Sequence, residues 1–373
     1  MALVLNEEQL MLKDSARSFL DSRAPVSHLR ELRDSENQDG FSRELWAEMA
    51  DMGWPAILVP EQYGGLGYGY TGIGIVLEET GRSLTPSPLL CTAMVGAAAI
   101  VKAGSDEQRE SLLPAVAGGQ HLLALACDEN PRHAPQEIAT TAVEDGESYR
   151  ISGRKINVAD GHIAETFIVS TQTANGVSLF LVPKDSGGVS VEPFRQLDTH
   201  HAANVAFDQV VVSKNNLLGV LDDGLGLLDY LLDVGRTGAS AEMLGLAQEV
   251  FSRTLDYLKE RKQFGVPIGS FQALQHRAAQ LFGELEMCKS LVLKALQTLD
   301  EQADGDPELA SLTKSKLGET AHLAATEAIQ MHGGIGMTDD FDIGFFLKRC
   351  KILDNLFGDS VYHLDRFARL RGF

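Results

Sequence analysis

The sequence predicts an α+β protein whose chain forms helices, then a sheet, then a helical bundle. Ten of the twelve prolines lie at or before Pro193, so the remaining residues 194–373, which contain only Pro267 and Pro307, can form long helices. The middle of the chain instead carries short runs rich in β-branched and aromatic residues. With 373 residues, of which 44% are hydrophobic and 23% charged, the chain has ample apolar material for a large core.

The first part of the chain is predicted to be helical. Asn6 and Gln9 have the spacing of a capping box, in which each side chain accepts the other residue's backbone N–H. Further helical patterns occupy residues 43–52, 71–82 and 90–103. An irregular, glycine-rich connection separates the first two of these.

The middle and last parts differ in period. Strands are predicted over 149–152, 166–169, 177–182 and 205–212, separated by Gly, Asn, Asp and Pro. Evenly spaced short strands without helices between them suggest a small antiparallel barrel or sandwich over about 122–217. Helical patterns then run through 227–236, 239–258, 271–299, 309–331 and 345–370, which predicts a helical bundle.

Composition excludes several classes of function. The net charge of −20 repels phosphate backbones and anionic lipid, so neither nucleic acid nor a membrane is expected as a partner. The four cysteines never form a C-x-x-C pair, so they are predicted to be buried free thiols, and no metal site is expected. The first residues lack a basic segment followed by an apolar one, and no apolar run is long enough to span a membrane. We expect a soluble cytoplasmic protein.

Two segments in the last part can contact a nucleotide. In the run 260–268, one helix is predicted to end at Gly265 and the next to begin with Ser270 as its N-cap. Such a junction presents a guanidinium, amides and an aromatic ring, although basic residues at a helix C-terminus also complement its dipole. In the run 330–336, glycines permit positive φ and close approach of a ligand or backbone. His332 beside them is interpreted as structural.

Taken in order, these segments resemble the acyl-CoA dehydrogenase family over essentially the whole chain. The resemblance is carried by the stretch 60–67 (Pro-Glu-Gln-Tyr-Gly-Gly-Leu-Gly), by 261–265 (Arg-Lys-Gln-Phe-Gly) and by 330–336 (Gln-Met-His-Gly-Gly-Ile-Gly). It implies an N-terminal helical domain over 1–121, a central antiparallel β-barrel over 122–217 and a C-terminal four-helix bundle over 218–373. It also implies an oxidoreductase of lipid β-oxidation that acts on an acyl-CoA substrate and passes electrons to electron-transfer flavoprotein. The resemblance further implies a tetramer in which a neighbouring subunit completes each FAD site.

The resemblance assigns residues to the cofactor position by position. Arg261 is similar to the arginine that reaches the FAD pyrophosphate of the adjacent subunit, with Gln263, Phe264 and Gln272 beside it. Gln330, Gly333 and Gly334 resemble the segment that covers the adenosine end. Arg236 matches the arginine that supports the active-site helix.

The positions of the catalytic base depart from the family pattern. In the family mechanism a carboxylate removes an α-proton from the thioester while a hydride leaves for the flavin. Phe357 occupies the usual glutamate position, and Gly235 occupies the other location used in the family. The middle domain also departs: residues 127–133 and 157–159 replace the segments that line the flavin.

Four hypotheses follow. The chain can be the subunit without the glutamate in a hetero-oligomer, where it lends its flavin contacts to a homologous catalytic subunit. It can be a homo-oligomeric dehydrogenase with a displaced base, for which Glu242 is a weak candidate and Asp233 and Asp359 lie near the vacant positions in sequence. It can be a flavin oxidase or monooxygenase on the same fold. It can also be a scaffold that binds no flavin.

Overall fold

The computed structural model describes residues 3–373, which form helices, then a sheet, then further helices. The α-helices are α1 (Glu7–Arg23), α2 (Val26–Asp34), α3 (Arg43–Asp51), α4 (Gly69–Ser83), α5 (Ala97–Ala103), α6 (Asp106–Ala117), α7 (Leu225–Glu260), α8 (Gln272–Glu301), α9 (Pro307–His332), α10 (Ile343–Asn355) and α11 (Ser360–Leu370). A π-helix, Leu89–Gly96, leads directly into α5. Within residues 3–373, no helix combines the length and the apolar character that crossing a membrane requires.

The structure contains the four predicted strands and six further ones. They are β1 (Leu123–Ala126), β2 (Thr141–Asp145), β3 (Ser148–Ala159), β4 (Thr166–Gln172), β5 (Val177–Pro183), β6 (Val189–Arg195), β7 (His201–Ser213), β8 (Leu217–Leu218), β9 (Lys262–Gln263) and β10 (Val266–Pro267). The four predicted strands correspond to β3, β4, β5 and β7. The sequence patterns missed β1, β2 and β6, which are short or carry polar residues, and the two-residue strands β8, β9 and β10.

The fold class is confirmed, but the predicted closed antiparallel barrel is wrong. Seven strands of the eight-stranded sheet follow the order β6-β7-β3-β2-β4-β5-β8, and the two end strands, β6 and β8, do not pair with each other in the part of the chain described. β1 pairs with β4 in parallel rather than antiparallel fashion. Alternation of apolar and polar residues places side chains on two faces of a sheet and carries no information on closure, so the sequence pattern could not decide this.

The sheet buries one aromatic and aliphatic cluster. Phe167 and Phe207 meet edge to face with ring centroids 6.4 Å apart, and Tyr149 lies 4.9 Å from Phe180. All of β1 is buried, as is usual for a strand with a parallel neighbour. Cys127 is buried in this part of the chain, and all four cysteines are buried thiols that form no disulfide, as predicted.

The chain divides into two compact units. One unit comprises the chain up to Glu31, residues 74–85 and residues 236–373, and it holds most of the long helices. The other comprises residues 32–73 and 86–235 and holds the eight-stranded sheet. The predicted division into three domains, after residues 121 and 217, stays a prediction. Each compact unit combines segments that are distant in sequence, so the units do not correspond to three successive domains.

The predicted helix boundaries agree with the structure at the start of α1 and differ from it in two later helices. Asn6 and Gln9 form the predicted capping box, with N···O distances of 2.8 and 3.0 Å. The two patterns predicted over 227–236 and 239–258 form one continuous helix, α7, and the single pattern over 345–370 breaks into α10 and α11. The break is the turn 356–359, where Phe357 and Gly358 have φ of +60° and +102°.

Candidate functional site

An exposed hairpin follows α7 and carries the first of the two motifs. α7 ends at Glu260, and the predicted helix end at Gly265 is wrong. Residues 262–267 instead form the β9–β10 hairpin, whose tip residues Phe264 and Gly265 have φ of +54° and +82°. Two consecutive positive φ values are the pattern of a tight hairpin turn, which glycine at its second position favours.

The start of α8 also differs from the prediction. The hydroxyl of Ser270 donates to the carbonyl of Pro267, so Ser270 is not the N-cap. That position belongs to Phe271, whose side chain makes no capping hydrogen bond. The Phe271 ring instead packs edge to face against Phe264, with centroids 6.2 Å apart. The ring of Phe264 is nevertheless 93% exposed.

The polar residues proposed for the flavin are also at the surface. Arg261, Gln263 and Gln272 are exposed. Within residues 3–373 no carboxylate forms a salt bridge with the guanidinium of Arg261, although the chain is rich in carboxylates. An exposed arginine that no carboxylate of the same chain neutralises is available to an anion from outside the chain.

The second motif ends α9. Gly333 has φ +67° and ψ −143°, a conformation that is essentially restricted to glycine. A Cβ atom built on Gly333 or on Gly334 would meet no heavy atom within 4 Å, so open space lies beside both residues. Gln330 is exposed on the last turn of α9. The segment therefore offers bare backbone and an amide to a ligand or a second chain.

Tyr257 connects the two motifs. Its ring stacks on His332 with centroids 4.3 Å apart, and its hydroxyl donates to the His332 carbonyl at 3.3 Å. The backbone N–H of Arg261 donates to the carbonyl of Tyr257 at 2.8 Å, so Arg261 lies one turn beyond the stacked ring. Burial lowers the pKa of His332, and its Nδ1 lies 2.7 Å from the Ala328 carbonyl. These contacts support the structural interpretation of His332.

The turn that contains Phe357, which the sequence predicts to occupy the position of the family's glutamate, is held by basic side chains. Phe357 is buried, and its carbonyl accepts hydrogen bonds from Nε of Arg236 and from Nε2 of His363, each at 3.0 Å. Lys314 donates to the carbonyls of Asp354 and Gly358 at 2.7 and 2.8 Å. The phenyl ring of Phe357 has no group that can accept a proton.

Three carboxylates are the candidates for a displaced base: Glu242, Asp359 and Asp233. Glu242 is buried and its Oε1 accepts from Nε and Nη2 of Arg349 at 2.7 and 2.6 Å. Asp359 caps α11 by accepting from the backbone N–H of Tyr362 at 2.7 Å. Asp233, two residues before Gly235 in α7, is buried with an exposed fraction of 3%.

A buried lysine holds residues 127–129, which belong to one of the two segments where the sequence departs from the family pattern. Lys155 is fully buried, and its Nζ lies 2.7 Å from Glu129, 3.0 Å from Ser170 and 3.2 Å from the carbonyl of Cys127. Burial lowers the pKa of Lys155. Lys155 therefore ties the segment 127–129 to strands β3 and β4.

Sequence reasoning missed Lys314, although a signal was present. On α9 this lysine occupies one position of an otherwise apolar stripe with three- and four-residue spacing, whose other members are Ala310, Leu317, Ala321, Ala324 and Ala328. A lysine in the buried stripe of a helix is rare unless its ammonium has partners. The stripe predicted the buried face of α9 but not the carbonyls that the ammonium binds.

The buried bases of this cluster predict that stability falls on acidification. Burial lowers the pKa of Lys314 to about 7, and burial followed by the charges of Arg236 and Lys314 lowers the pKa of His363. When the folded-state pKa is lowered, the unfolded chain binds the proton first, so stability is lost as the pH falls through the folded value. Between about pH 8.5 and 6.5 we expect Lys314 to change the free energy of unfolding by at most about 1.4 kcal/mol per pH unit.

Urea titrations of the wild type and of Lys314→Met at both pH values measure this slope. The variant should show a flatter pH dependence, whereas Lys316→Met, which removes a partly exposed lysine of the same helix, should keep the wild-type slope. Equal slopes in the wild type and in Lys314→Met would contradict the assignment.

Comparison with known proteins identifies the family. Successive family models match the chain: acyl-CoA dehydrogenase N-terminal domain over 6–120, middle domain over 127–210 and C-terminal domain over 222–370. An acyl-CoA dehydrogenase of Bacillus subtilis is 30% identical over 361 residues, which cover 93% of both chains. Subunit CarC of the caffeyl-CoA reductase-Etf complex of Acetobacterium woodii is 28% identical over 369 residues, 96% of both chains.

A solved structure agrees with this. A variant of the Tcur3481-Tcur3483 steroid ACAD matches with a TM-score of 0.90 and 33% identity, and the match covers 98% of both chains. The fold and the matched segments define a flavin-dependent oxidoreductase. The chain belongs to the acyl-CoA dehydrogenase family, which confirms the resemblance inferred from the sequence.

Proposed function

We propose that this chain is a subunit of a FAD-dependent acyl-CoA dehydrogenase that lacks the catalytic glutamate and works in a hetero-oligomer with a homologous subunit that carries it. The observation that carries the proposal is the turn 356–359. Its buried Phe357 occupies the place of the family's base, and its carbonyl is bound by Arg236 and His363. The reaction is the α,β-dehydrogenation of an acyl-CoA thioester.

A displaced base within this chain has less support. The carboxylate of Glu242 is engaged by two nitrogens of Arg349, and an ion-paired carboxylate is a weaker proton acceptor than a free one. Asp359 accepts a backbone N–H at the start of α11. Both contacts favour structural roles, so we propose that the base is supplied by the partner chain.

The flavin contacts are the part of the site that this chain retains. FAD carries an anionic pyrophosphate and an aromatic adenine. The exposed guanidinium of Arg261, the exposed ring of Phe264 and the open backbone at Gly333 and Gly334 fit such a group when it is presented from outside the chain. The residues that would hold it are Arg261, Gln263, Phe264, Gln272, Gln330, Gly333 and Gly334. When bound, the flavin supplies the acceptor for the hydride.

The relatives support the proposed partners. The name of the steroid ACAD joins two components, and the caffeyl-CoA reductase subunit is named as part of a complex with Etf. By analogy we propose a homologous catalytic subunit as the structural partner, acyl-CoA as the substrate and electron-transfer flavoprotein as the electron acceptor. The cytoplasmic location predicted from the sequence is kept as part of this proposal.

The visible absorption spectrum of the protein purified without a partner tests the proposal. We expect either no flavin, or flavin that stays oxidised when a panel of acyl-CoA thioesters is added anaerobically, because the chain supplies no base. Adding the candidate partner subunit should restore bleaching of the flavin band with at least one thioester. Bleaching in the isolated protein would overturn the proposal and would favour a homo-oligomeric enzyme.

Arg261→Ala is expected to weaken flavin retention in the assembled protein. Loss of a charge-assisted hydrogen bond to a phosphate removes about 1.5–3 kcal/mol, equivalent to a ten- to hundredfold rise in the dissociation constant of FAD. Fluorescence of released flavin during dilution measures this constant. Lys262→Ala is the matched control, since it removes a neighbouring exposed positive charge. Equal flavin affinity in the wild type and in Arg261→Ala would remove Arg261 from the site.

A further inference from the structure

The turn between α10 and α11 has a backbone conformation that its own sequence does not favour. Phe357 has φ +60°, in the left-handed region that large side chains avoid, and Gly358 follows with φ +102°. A bulky residue remains in this region only where the surroundings hold it there. The contacts around the turn therefore decide where the side chain of Phe357 points.

Side chains from three different helices bind the carbonyls of this turn. Lys314 of α9 donates to the carbonyl of Asp354, in the last turn of α10, and to that of Gly358. Arg236 of α7 and His363 of α11 both donate to the carbonyl of Phe357. Carbonyls on both sides of the left-handed residue are thus linked to one ammonium group.

The nature of the Lys314 contacts indicates why a lysine is present. An ammonium group loses its hydration on burial, and a methionine would fill a similar volume without that penalty. Nζ of Lys314 donates to two backbone carbonyls, at 2.7 and 2.8 Å, and not to a carboxylate. The charged groups that act on it are Arg236, which is repulsive, and Asp354 and Asp359, which are attractive. What this position requires is therefore a pair of hydrogen-bond donors.

We propose that Lys314 is a positioning residue that holds the Phe357–Gly358 turn in its left-handed conformation by donating simultaneously to the carbonyls of Asp354 and Gly358. The inference holds whether or not the chain works in a hetero-oligomer, since it concerns contacts within one unit. It carries a specific consequence: a neutral amine still has two N–H donors, so the turn keeps its geometry on both sides of the Lys314 titration.

Amide hydrogen exchange of the whole protein, followed residue by residue, tests the proposal. The Gly358 N–H donates to the carbonyl of Asn355, and the Ser360 N–H donates to Oδ1 of Asp354, so both report on the turn. In Lys314→Met we expect these two amides to exchange at least tenfold faster, while the slowest amides of α7 and α9 keep their rates. Lys316→Met, the control on the same helix, should change neither set.

Two outcomes would overturn the proposal. One is unchanged protection of Gly358 and Ser360 in Lys314→Met; the other is an equal loss of protection at every slow amide, which a purely global role would produce. If Lys314→Met does not fold, the pH dependence of amide exchange in the wild type tests the proposal instead. After correction for intrinsic exchange chemistry, protection of the two amides should be no lower at about pH 8 than at about pH 6, because the neutral amine keeps both donors while protonation favours the open state. A selective loss at the higher pH would mean that the charge, and not the pair of donors, holds the turn.

Discussion

Replacing Glu242 by leucine is expected to lower the free energy of unfolding by about 3–5 kcal/mol. The carboxylate of Glu242 and the guanidinium of Arg349 are both buried and meet at 2.6–2.7 Å. Removing the carboxylate leaves a buried positive charge without its partner, which is far less favourable than either the intact pair or two apolar residues. Urea unfolding followed by circular dichroism measures the change.

The double variant Glu242→Leu/Arg349→Met separates a structural role from a catalytic one. Because it leaves no unpaired charge, we expect it to recover most of the lost stability. Glu249→Leu is the control on the same helix: its carboxylate is partly exposed between Arg253 and Arg82, and both arginines keep another carboxylate nearby, so the loss should stay near about 1 kcal/mol. If Glu242→Leu has wild-type stability but abolishes flavin reduction by acyl-CoA, Glu242 is the displaced base and the structural interpretation is wrong.

Gly245→Ala is expected to lower the free energy of unfolding by more than about 3 kcal/mol. Helices α4 and α7 touch through their backbones at this residue: a Cβ atom on Gly245 would lie 1.7 Å from the carbonyl oxygen of Glu78, and one on Gly81 would lie 2.0 Å from that of Glu242. Backbone atoms in helices cannot move aside as a side chain can, so the two helices must separate and lose their packing.

A second glycine provides the control for this substitution. Gly283 lies in α8, and a Cβ atom there would meet nothing within 4 Å. Gly283→Ala should therefore raise stability by up to about 1 kcal/mol, because alanine is the better helix former. Thermal unfolding of both variants gives the comparison. Wild-type stability in Gly245→Ala would mean that the close contact between α4 and α7 does not contribute to the folded state.

Elements encoded by neighbouring residues were predictable. The capping box of Asn6 and Gln9 forms as the spacing predicts, since both hydrogen bonds join residues three positions apart. The helical period of α9 and the β-rich runs of β3, β4, β5 and β7 also follow from the chain alone. The prediction failed at Gly265, where the glycine forms a hairpin tip and not a helix end, because a positive φ serves both structures equally well.

By itself the sequence determined the succession of helices, sheet and helices and the family, since both depend on residue types at local spacings, whereas the replacement of the usual glutamate by Phe357 stays a prediction. Only the tertiary structure decided that the sheet remains open, that Glu242 pairs with Arg349, and that Lys314 binds carbonyls forty residues or more away. Such pairings depend on which helix faces meet. Periodicity shows that a face is buried, but the partner on that face follows from packing between distant segments.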